Sequence, residues 1–445
     1  TKQQQHKQWR RIMIVHSCQG GKTPRSFLKD WDRHSNPIMV SYCHPTPLQL
    51  KLCQIQLYRA RFHHCVVAVA SLAKCHYWLS SWIAMAMILR RWFVLKRTQS
   101  TEEKREASKT LGLYREATFY NTIAPWLEER FNKASSFIPR TYFSECDPTS
   151  GQKAIVMEYY DEATEVGKYY PHSIHNKQGD NEAPNSLPFV DQRSLTIEVV
   201  RIGATFHGSF YKDASLLGNP KIASHLRMAD WIQGVGKDTW DASQQEVCGR
   251  WAKAKSEWEK GQFYDGKVTM EQEFVDVLDA SCALVDFDTY VDMWGVKSSS
   301  RGKKPWSLVH GDYHPGNFLC LHSDNTDASK DGRPNLVLLD WEVVGVGSGP
   351  QDVGQYLISH MEPSEACGMI DEITSIYRDT LIETLNATNN EHANEVSSFE
   401  ELKKEIVYGG LQRWIWLYSY MCGLVPSEYM QYFHDQVHGW IVGNK

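Results

Sequence analysis

Residues 309–319, VHGDYHPGNFL, and residues 337–342, VLLDWE, decide the fold and the chemistry expected of this chain. The first stretch carries Asp312 and Asn317 at the spacing D-x4-N, and in the second an apolar strand ends at Asp340. Carboxylate and amide oxygens are ligands that Mg²⁺ prefers in proteins. A D-x4-N loop followed by a strand-borne aspartate is also the arrangement of sites that transfer a phosphoryl group from ATP. We therefore expect Asp312 to take a proton from an acceptor hydroxyl, and Asn317 and Asp340 to hold magnesium.

Two charged residues upstream extend this pattern. An apolar, aromatic strand predicted over residues 92–96 ends in Lys96, and Glu116 lies on a long helix predicted over residues 108–130. In phosphotransferases of this type a strand lysine contacts the α- and β-phosphates, and a helix glutamate pairs with that lysine. A buried strand is predicted over residues 154–158. The order of these elements along the chain is therefore the order that such a site requires.

The composition is that of an ordinary globular protein, with 445 residues, 42% of them hydrophobic and 23% charged. These values exclude a disordered or fibrous chain. Strand patterns lie early and helical patterns dominate afterwards, which predicts an α+β fold with a small β-rich lobe and a larger α-helical lobe. The expected boundaries are a basic N-terminal segment over 1–90, an N-lobe over 91–165 and a C-lobe over 166–445, with the catalytic loop at 309–319 and the metal strand at 336–342.

The charge distribution and the cysteine content limit which binding partners and which cellular compartment we expect. Residues 1–100 hold 16 Lys or Arg and two acids, whereas the remainder has a net charge of −19. An acidic body argues against a general nucleic-acid binder. The eleven cysteines form no C-x-x-C pair, and no Cys/His cluster has zinc spacing, which favours free thiols in a reducing compartment. We expect a cytoplasmic protein; the acid-free first 29 residues, weakly similar to a transit segment, leave organelle targeting as the alternative.

Membrane insertion is disfavoured by the length of the apolar segments. The best stretch, residues 77–89 (YWLSSWIAMAMIL), is shorter than the roughly 20 apolar residues that cross a bilayer as a helix. A buried or amphipathic helix is the preferred interpretation of this segment.

The motifs together resemble the aminoglycoside phosphotransferase and choline kinase superfamily, the small-molecule branch of the protein-kinase-like fold. HGDYHPGN at 310–317 matches its catalytic loop, LLDWE at 338–342 its metal strand, and GPQDVG at 349–354 the stretch that follows. FVLK at 93–96 and YREATFY at 114–120 are similar to the N-lobe of the ecdysteroid-kinase-like subgroup, also called CHK kinase-like. The resemblance implies a two-lobed protein-kinase-like fold, ATP and Mg²⁺ as cofactors, and a small-molecule acceptor.

The same resemblance implies a role for each matched residue. Asp312 is the general base or orienter of the acceptor, and His310 is an orienting residue beside it. Asn317 and Asp340 bind magnesium. Lys96 is implied to contact the ATP phosphates, and Glu116 to position Lys96. Glu158 to Tyr160 are implied to form the hinge that binds adenine through its backbone. Asp352 is implied to support the catalytic loop.

Several alternatives remain open at this stage. His314 either contacts a phosphate or packs, and Glu342 is either a second metal contact or a polar surface residue. The acceptor is open as well: a quaternary amine in a tryptophan cage, an amino sugar near acidic residues, and an apolar alcohol are all compatible. The tryptophans in question are Trp240, Trp251, Trp258, Trp414 and Trp416, for which core packing is the preferred interpretation.

One departure from the family pattern leads to two alternative hypotheses about function. The family has a glycine-containing phosphate loop just before the lysine, but this chain has no glycine from residue 22 to residue 111. Side chains in such a turn keep backbone amides from cradling phosphates closely. The first hypothesis is an active small-molecule kinase, and the alternative is a catalytically weak kinase-like binding protein without a functional glycine loop. A protein kinase is disfavoured because HGD replaces HRD and DWE replaces DFG.

Overall fold

The structure is a computed structural model that describes residues 12–13, 38–39, 93–98, 101–131, 137–161, 163–173, 190–213, 215–216, 227–228, 237–284, 305–322 and 333–445. Within residues 1–90 it describes two short strands, Ile12–Met13 and Ile38–Met39, which pair in parallel. The expectations for the basic segment, for the apolar stretch at 77–89 and for the phosphate loop lie otherwise outside the described residues.

The chain divides into two compact units. Unit 1 comprises the described residues of Thr1–Thr110 and Arg140–Asp161, and unit 2 comprises those of Leu111–Pro139 and Glu162–Lys445. We expected the smaller lobe to run continuously over 91–165, whereas this division gives Leu111–Pro139 to unit 2. The α+β class is confirmed, because small antiparallel sheets accompany a mainly helical second unit.

Unit 1 is built on a three-stranded antiparallel sheet. Its strands are β1 (Phe93–Arg97), β2 (Thr141–Asp147) and β3 (Gln152–Glu158), in the order β1-β3-β2. The strands predicted over 92–96 and 154–158 are β1 and β3, and Lys96 lies opposite Ile155 in their register. Helix α1 (Glu102–Leu111) follows β1.

Unit 2 contains the remaining elements. Its strands are β4 (Ala163–Glu165), β5 (Ser307–Val309), β6 (Phe318–Leu321), β7 (Asn335–Leu338) and β8 (Gly345–Gly347). Its helices are α2 (Arg115–Thr118), α3 (Ala124–Phe131), α4 (Gln192–Ser209), α5 (Lys237–Glu259), α6 (Gln272–Leu284), α7 (Gly349–His360), α8 (Pro363–Gly368), α9 (Ile370–Ala387), α10 (Phe399–Met421) and α11 (Ser427–Gly443). β7, β6 and β4 form one antiparallel sheet. β8 pairs antiparallel with β5 and parallel with Arg227–Met228.

The single helix expected over 108–130 is wrong, because the chain forms several shorter helices there. α1 ends at Leu111, and Gly112 follows with a φ of 67°, in the left-handed region that favours glycine at a helix end. A π-helical turn, Phe119–Ile123, separates α2 from α3. Pro125, the second residue of α3, has no N–H to donate to the preceding helical turn, and the hydrogen-bond pattern changes from α to π just before it.

Helix α7 lies at the centre of unit 2, and all of its residues are buried. It crosses α10 closely, because a Cβ on Gly354 would lie 2.1 Å from the Ile406 carbonyl oxygen and 2.7 Å from the Gly410 nitrogen. Only glycine at residue 354 permits this approach, and the crossing holds α10 against α7. Among the described residues, none of the helices has the length and apolar character needed to span a membrane.

Candidate active site

The catalytic loop is held through its backbone by Asp352 on α7. The Asp352 carboxylate accepts hydrogen bonds from the backbone N–H of His310 at 2.7 Å and of Gly311 at 3.1 Å. Gly311 has a φ of 78°, so a side chain there would be strained. His207 Nε2 lies 3.2 Å from the same carboxylate, and the Tyr377 hydroxyl lies 3.0 Å from His207 Nδ1. Asp352 therefore supports the loop, as the resemblance implied.

His310 links the catalytic loop to the metal strand. Its Nδ1 accepts the backbone N–H of Asp312 at 3.2 Å, so the proton is on Nε2, which donates to the Leu339 carbonyl at 2.8 Å. Burial lowers the pKa of His310, and this effect outweighs the nearby carboxylates that would raise it. Both ring nitrogens of His310 are therefore engaged in hydrogen bonds with the backbone of these two segments.

Asp312 is fixed by two donors that the sequence did not indicate. Its Oδ1 accepts hydrogen bonds from Arg413 at 3.1 Å and from Gln355 at 3.3 Å. Arg413 lies on α10 and is 101 residues away in sequence, and its side chain is 7% exposed. His314 Nε2 lies 3.6 Å from Oδ2, and the His314 ring also stacks on His360 at a centroid distance of 5.8 Å. The carboxylate therefore has a defined orientation.

Asn317 and Asp340 lie on segments that are joined by hydrogen bonds. The Asn317 amide nitrogen donates to the Asp312 carbonyl at 2.7 Å, which orients the amide, and the Leu339 N–H donates to the Asn317 carbonyl at 2.8 Å. Asp340 has φ 63° and ψ 55°, a left-handed conformation uncommon for a residue with a side chain. Backbone strain of this kind concentrates at functional sites.

Asp340 and two other acidic side chains lie close together. The carboxylate oxygens of Glu116, Asp340 and Glu342 all lie within 4.8 Å of one another, and we call this group the carboxylate cluster. Glu116 is fully buried and Asp340 is 3% exposed. Arg115 anchors α2 beside this cluster, because its guanidinium donates to the Val344 carbonyl at 3.2 Å. The donor set consists of oxygens only and fits a hard divalent cation such as Mg²⁺. Its membership differs from the pair implied by the resemblance, Asn317 and Asp340, since Glu116 was expected to serve Lys96.

The predicted nucleotide-contacting residues Lys96, Glu158 and Tyr160 belong to unit 1. Lys96 is the fourth of the five residues of β1, and Glu158 ends β3. The backbone N–H of Glu158 donates to the Arg140 carbonyl at 2.9 Å. Burial raises the pKa of Tyr160 to about 12, so its phenol is protonated at neutral pH.

The tryptophans considered for a cage lie mostly in the core. Trp240 and Trp251 are each 2% exposed, and Trp414 and Trp416 are each 6% exposed. The Trp251 indole N–H donates to the Asp279 carboxylate at 2.8 Å. The burial of these four tryptophans agrees with the interpretation that they pack in the core.

Comparison with known proteins supports the motif assignment. The ecdysteroid kinase-like family matches residues 235–390, a range that contains both the catalytic loop and the metal strand. The resemblance predicted from the motifs is thereby confirmed over this range, and it supports the class of small-molecule kinase-like phosphotransferases. No curated protein matches the chain.

Solved structures to which this chain is similar include two kinases and one phosphotransferase. An amicoumacin kinase in complex with AMP-PNP and Ca²⁺ is 12% identical, over 78% of this chain and 81% of that chain, with a TM-score of 0.37. A microcompartment-associated aminopropanol kinase is 11% identical, over 79% and 85%, with a TM-score of 0.34. An aminoglycoside-3'-phosphotransferase of type VIII is 13% identical, over 79% and 85%, with a TM-score of 0.29.

Proposed function

We propose that this protein is an ATP- and magnesium-dependent kinase that transfers the γ-phosphate to a hydroxyl of a small molecule. The observation that carries the proposal is the fixed orientation of Asp312 next to the metal strand. The His310 side chain and the Asn317 carbonyl both bond to the backbone of Leu339, the residue before Asp340. Phosphoryl transfer depends mainly on positioning and electrostatics, so a rigid link between the base and the metal ligands suits that chemistry.

Asp312 orients the acceptor hydroxyl and receives its proton. Arg413 and Gln355 both bond to Oδ1, so they hold the carboxylate in one rotamer. Arg413 thus acts as a positioning residue for the base.

Asn317 and Asp340 are the proposed magnesium ligands, with Glu342 as a further candidate from the carboxylate cluster. When bound, the ion would neutralise charge on the β- and γ-phosphates. Lys96 is proposed to contact the phosphates, as the resemblance implies. The hinge proposal is sharpened by one bond: because the Glu158 N–H already donates to Arg140, adenine would bind the backbone of the residues that follow it, up to Tyr160.

The proposal is tested by incubating the full chain with γ-labelled ATP, Mg²⁺ and fractionated metabolite extracts. We expect label in a small-molecule fraction with the wild-type protein and none with Asp340→Asn. Thermal unfolding with ATP and Mg²⁺ separates the two hypotheses, because a ligand at about 100 times its Kd stabilises the folded state by about 2.7 kcal/mol. An absent thermal shift together with absent labelling would favour the weak binding protein, for which the glycine-free stretch from 22 to 111 is the motivating observation.

A further inference from the structure

A second group of candidate metal ligands lies on other helices of unit 2. His434 and His438 are one helical turn apart on α11, and Glu271 immediately precedes α6. Their ligand atoms all lie within 4.8 Å of one another, and we call this group the histidine cluster. We propose that the histidine cluster binds a single Zn²⁺ ion that joins the start of α6 to the C-terminal helix α11.

The three ligand atoms converge on one point. Glu271 Oε2 lies 2.7 Å from His434 Nε2 and 3.5 Å from His438 Nδ1. The two imidazole rings are stacked, with centroids 5.5 Å apart and planes inclined by 20°. A tetrahedral zinc ion with bonds of about 2.0–2.1 Å has ligand atoms separated by about 3.3 Å, so small adjustments would bring all three into its coordination sphere.

His434 supplies an independent indication that a ligand belongs here. The residue is 2% exposed, yet its Nε2 has no hydrogen-bond partner of acceptable geometry. Glu271 Oε2 lies at ion-pair distance from Nε2, but the contact does not meet the geometry of a hydrogen bond. Buried polar atoms are nearly always satisfied. A metal ion bound to the Nε2 lone pair would satisfy this atom.

The other nitrogen of His434 is oriented for metal binding. Its Nδ1 lies 3.0 Å from the Asp435 carboxylate and 3.2 Å from the Gln431 amide nitrogen. In the tautomer in which Nδ1 donates its proton to Asp435, Nε2 presents its lone pair to the histidine cluster. Gln431 completes the support by donating to Asp435 at 2.7 Å while its oxygen accepts the Thr269 N–H at 2.9 Å. A carboxylate that holds the outer nitrogen of a ligating histidine is the usual second layer of a zinc site.

The donor set determines which ion binds. Two imidazoles and one carboxylate suit Zn²⁺ and related transition metals, whereas Mg²⁺ and Ca²⁺ prefer oxygen ligands. Glu271 is exposed and His438 is half-buried, so a water molecule can occupy the fourth position from the solvent side. Because the ligands come from two segments distant in sequence, the ion would act as a cross-link in the folded chain.

The test is a zinc titration of the full chain after removal of metal with a chelator. We expect one Zn²⁺ per chain by elemental analysis, a raised unfolding temperature with zinc, and no competition from millimolar Mg²⁺. Glu271→Gln and His438→Asn should each weaken zinc binding at least about 100-fold, since loss of a second-layer partner alone costs about 10–100-fold. Both positions reach the surface, so these variants should fold.

His392→Gln is the matched control. His392 lies 2.8 Å from Glu395 and 3.6 Å from Glu391, but the three do not converge as a ligand set among the described residues. This variant should bind zinc as the wild type does. Zinc affinity that is unchanged in both Glu271→Gln and His438→Asn, or that falls equally in His392→Gln, would overturn the proposal. Asp340→Asn should leave the zinc stoichiometry at one, so the outcome is independent of the proposed kinase activity.

Discussion

The carboxylate cluster and the histidine cluster lie in the same unit and differ in almost every property that governs metal binding. The carboxylate cluster offers oxygens alone, and two of its members are almost fully buried. The histidine cluster offers two nitrogens and one oxygen, and its carboxylate is exposed. Hard oxygen ligands select Mg²⁺, whereas imidazoles select Zn²⁺. One chain can therefore present two sites that do not compete for the same ion.

The two clusters also differ in what surrounds them. The carboxylate cluster adjoins a loop whose backbone and side chains are fixed by Asp352, His310, Arg413 and Gln355. The histidine cluster is supported by Gln431 and Asp435 alone among the contacts described above. Pre-organised groups of the first kind are needed for catalysis, whereas a cross-linking ion needs only its ligands and their second layer.

The largest expected effect is a loss of turnover that involves the active-site region and leaves the histidine cluster unaffected. Asp312→Ala should lower kcat by about 10²- to 10⁴-fold, the usual contribution of a general base, while ATP binding and zinc binding are retained. The measurements are initial rates with the identified acceptor, the thermal shift with ATP, and the zinc titration. Full turnover in this variant would remove Asp312 from the mechanism.

The next effect tests the helix crossing beneath the active site. Gly354→Ala places a methyl group 2.1 Å from the Ile406 carbonyl oxygen, so we expect the free energy of unfolding to fall by about 1–3 kcal/mol. Turnover should fall as well, because α10 carries Arg413. Zinc binding should be retained, since no ligand of the histidine cluster lies on α7 or α10.

Gly249→Ala is the control for this substitution. Gly249 lies within α5, and a Cβ there would meet no atom within 4 Å. Alanine is the better helix former, so this variant should gain about 0.5–1 kcal/mol in urea unfolding. Equal changes in Gly354→Ala and Gly249→Ala would contradict the close crossing of α7 and α10.

The sequence could indicate residues of the candidate site only where the signals were local. Asp312, Asn317 and Asp340 lie in short motifs whose spacing is visible along the chain. Arg413 lies in an apolar stretch of α10 with no motif around it, and its contact with Asp312 depends on how two helices cross. Glycines that permit such a crossing cannot be distinguished by sequence from glycines in open space, as Gly249 shows.

The fold and the histidine cluster show the same limit. The interruption of the helix expected over 108–130 had visible signals, Gly112 and Pro125, but the apolar stripe continued across both. The expectation that no Cys/His cluster has zinc spacing overlooked His434 and His438, whose spacing H-x3-H places two imidazoles on one helix face but carries little weight without a third ligand. Glu271 becomes that ligand only because α6 packs near α11 in the folded chain.

A smaller effect is expected from the positioning residue. Arg413→Met should lower kcat by about 10-fold, because a hydrogen bond to a charged group contributes about 1.5–3 kcal/mol and Gln355 still holds Oδ1. KM for ATP should change little, since Arg413 contacts the base. Arg413→Lys should recover part of the rate because it keeps the charge. If the activity of both variants falls only in proportion to their loss of stability, and kcat of the folded protein is unchanged, Arg413 has a purely structural role.

The smallest expected effect is a pH dependence of stability that arises in the active-site region. Burial lowers the pKa of His310 in the folded state, against the opposing influence of Asp352, Asp312 and Asp340, while the unfolded chain has a value of about 6.5. The unfolded state therefore binds more protons as the pH falls below about 6.5, so the folded state loses stability, by at most about 1.4 kcal/mol per pH unit from this residue.

His310→Gln removes the titrating ring but keeps a donor for the Leu339 carbonyl. Its stability should therefore depend less steeply on pH between 6.5 and 5.5 than that of the wild type, both measured by urea unfolding of chelator-treated protein so that zinc release from the histidine cluster does not contribute. His392→Gln, which removes a surface histidine, should retain the wild-type slope. If the His310→Gln slope equals that of the wild type, the low-pH loss of stability arises elsewhere in the molecule and the buried imidazole of the catalytic loop is not its source.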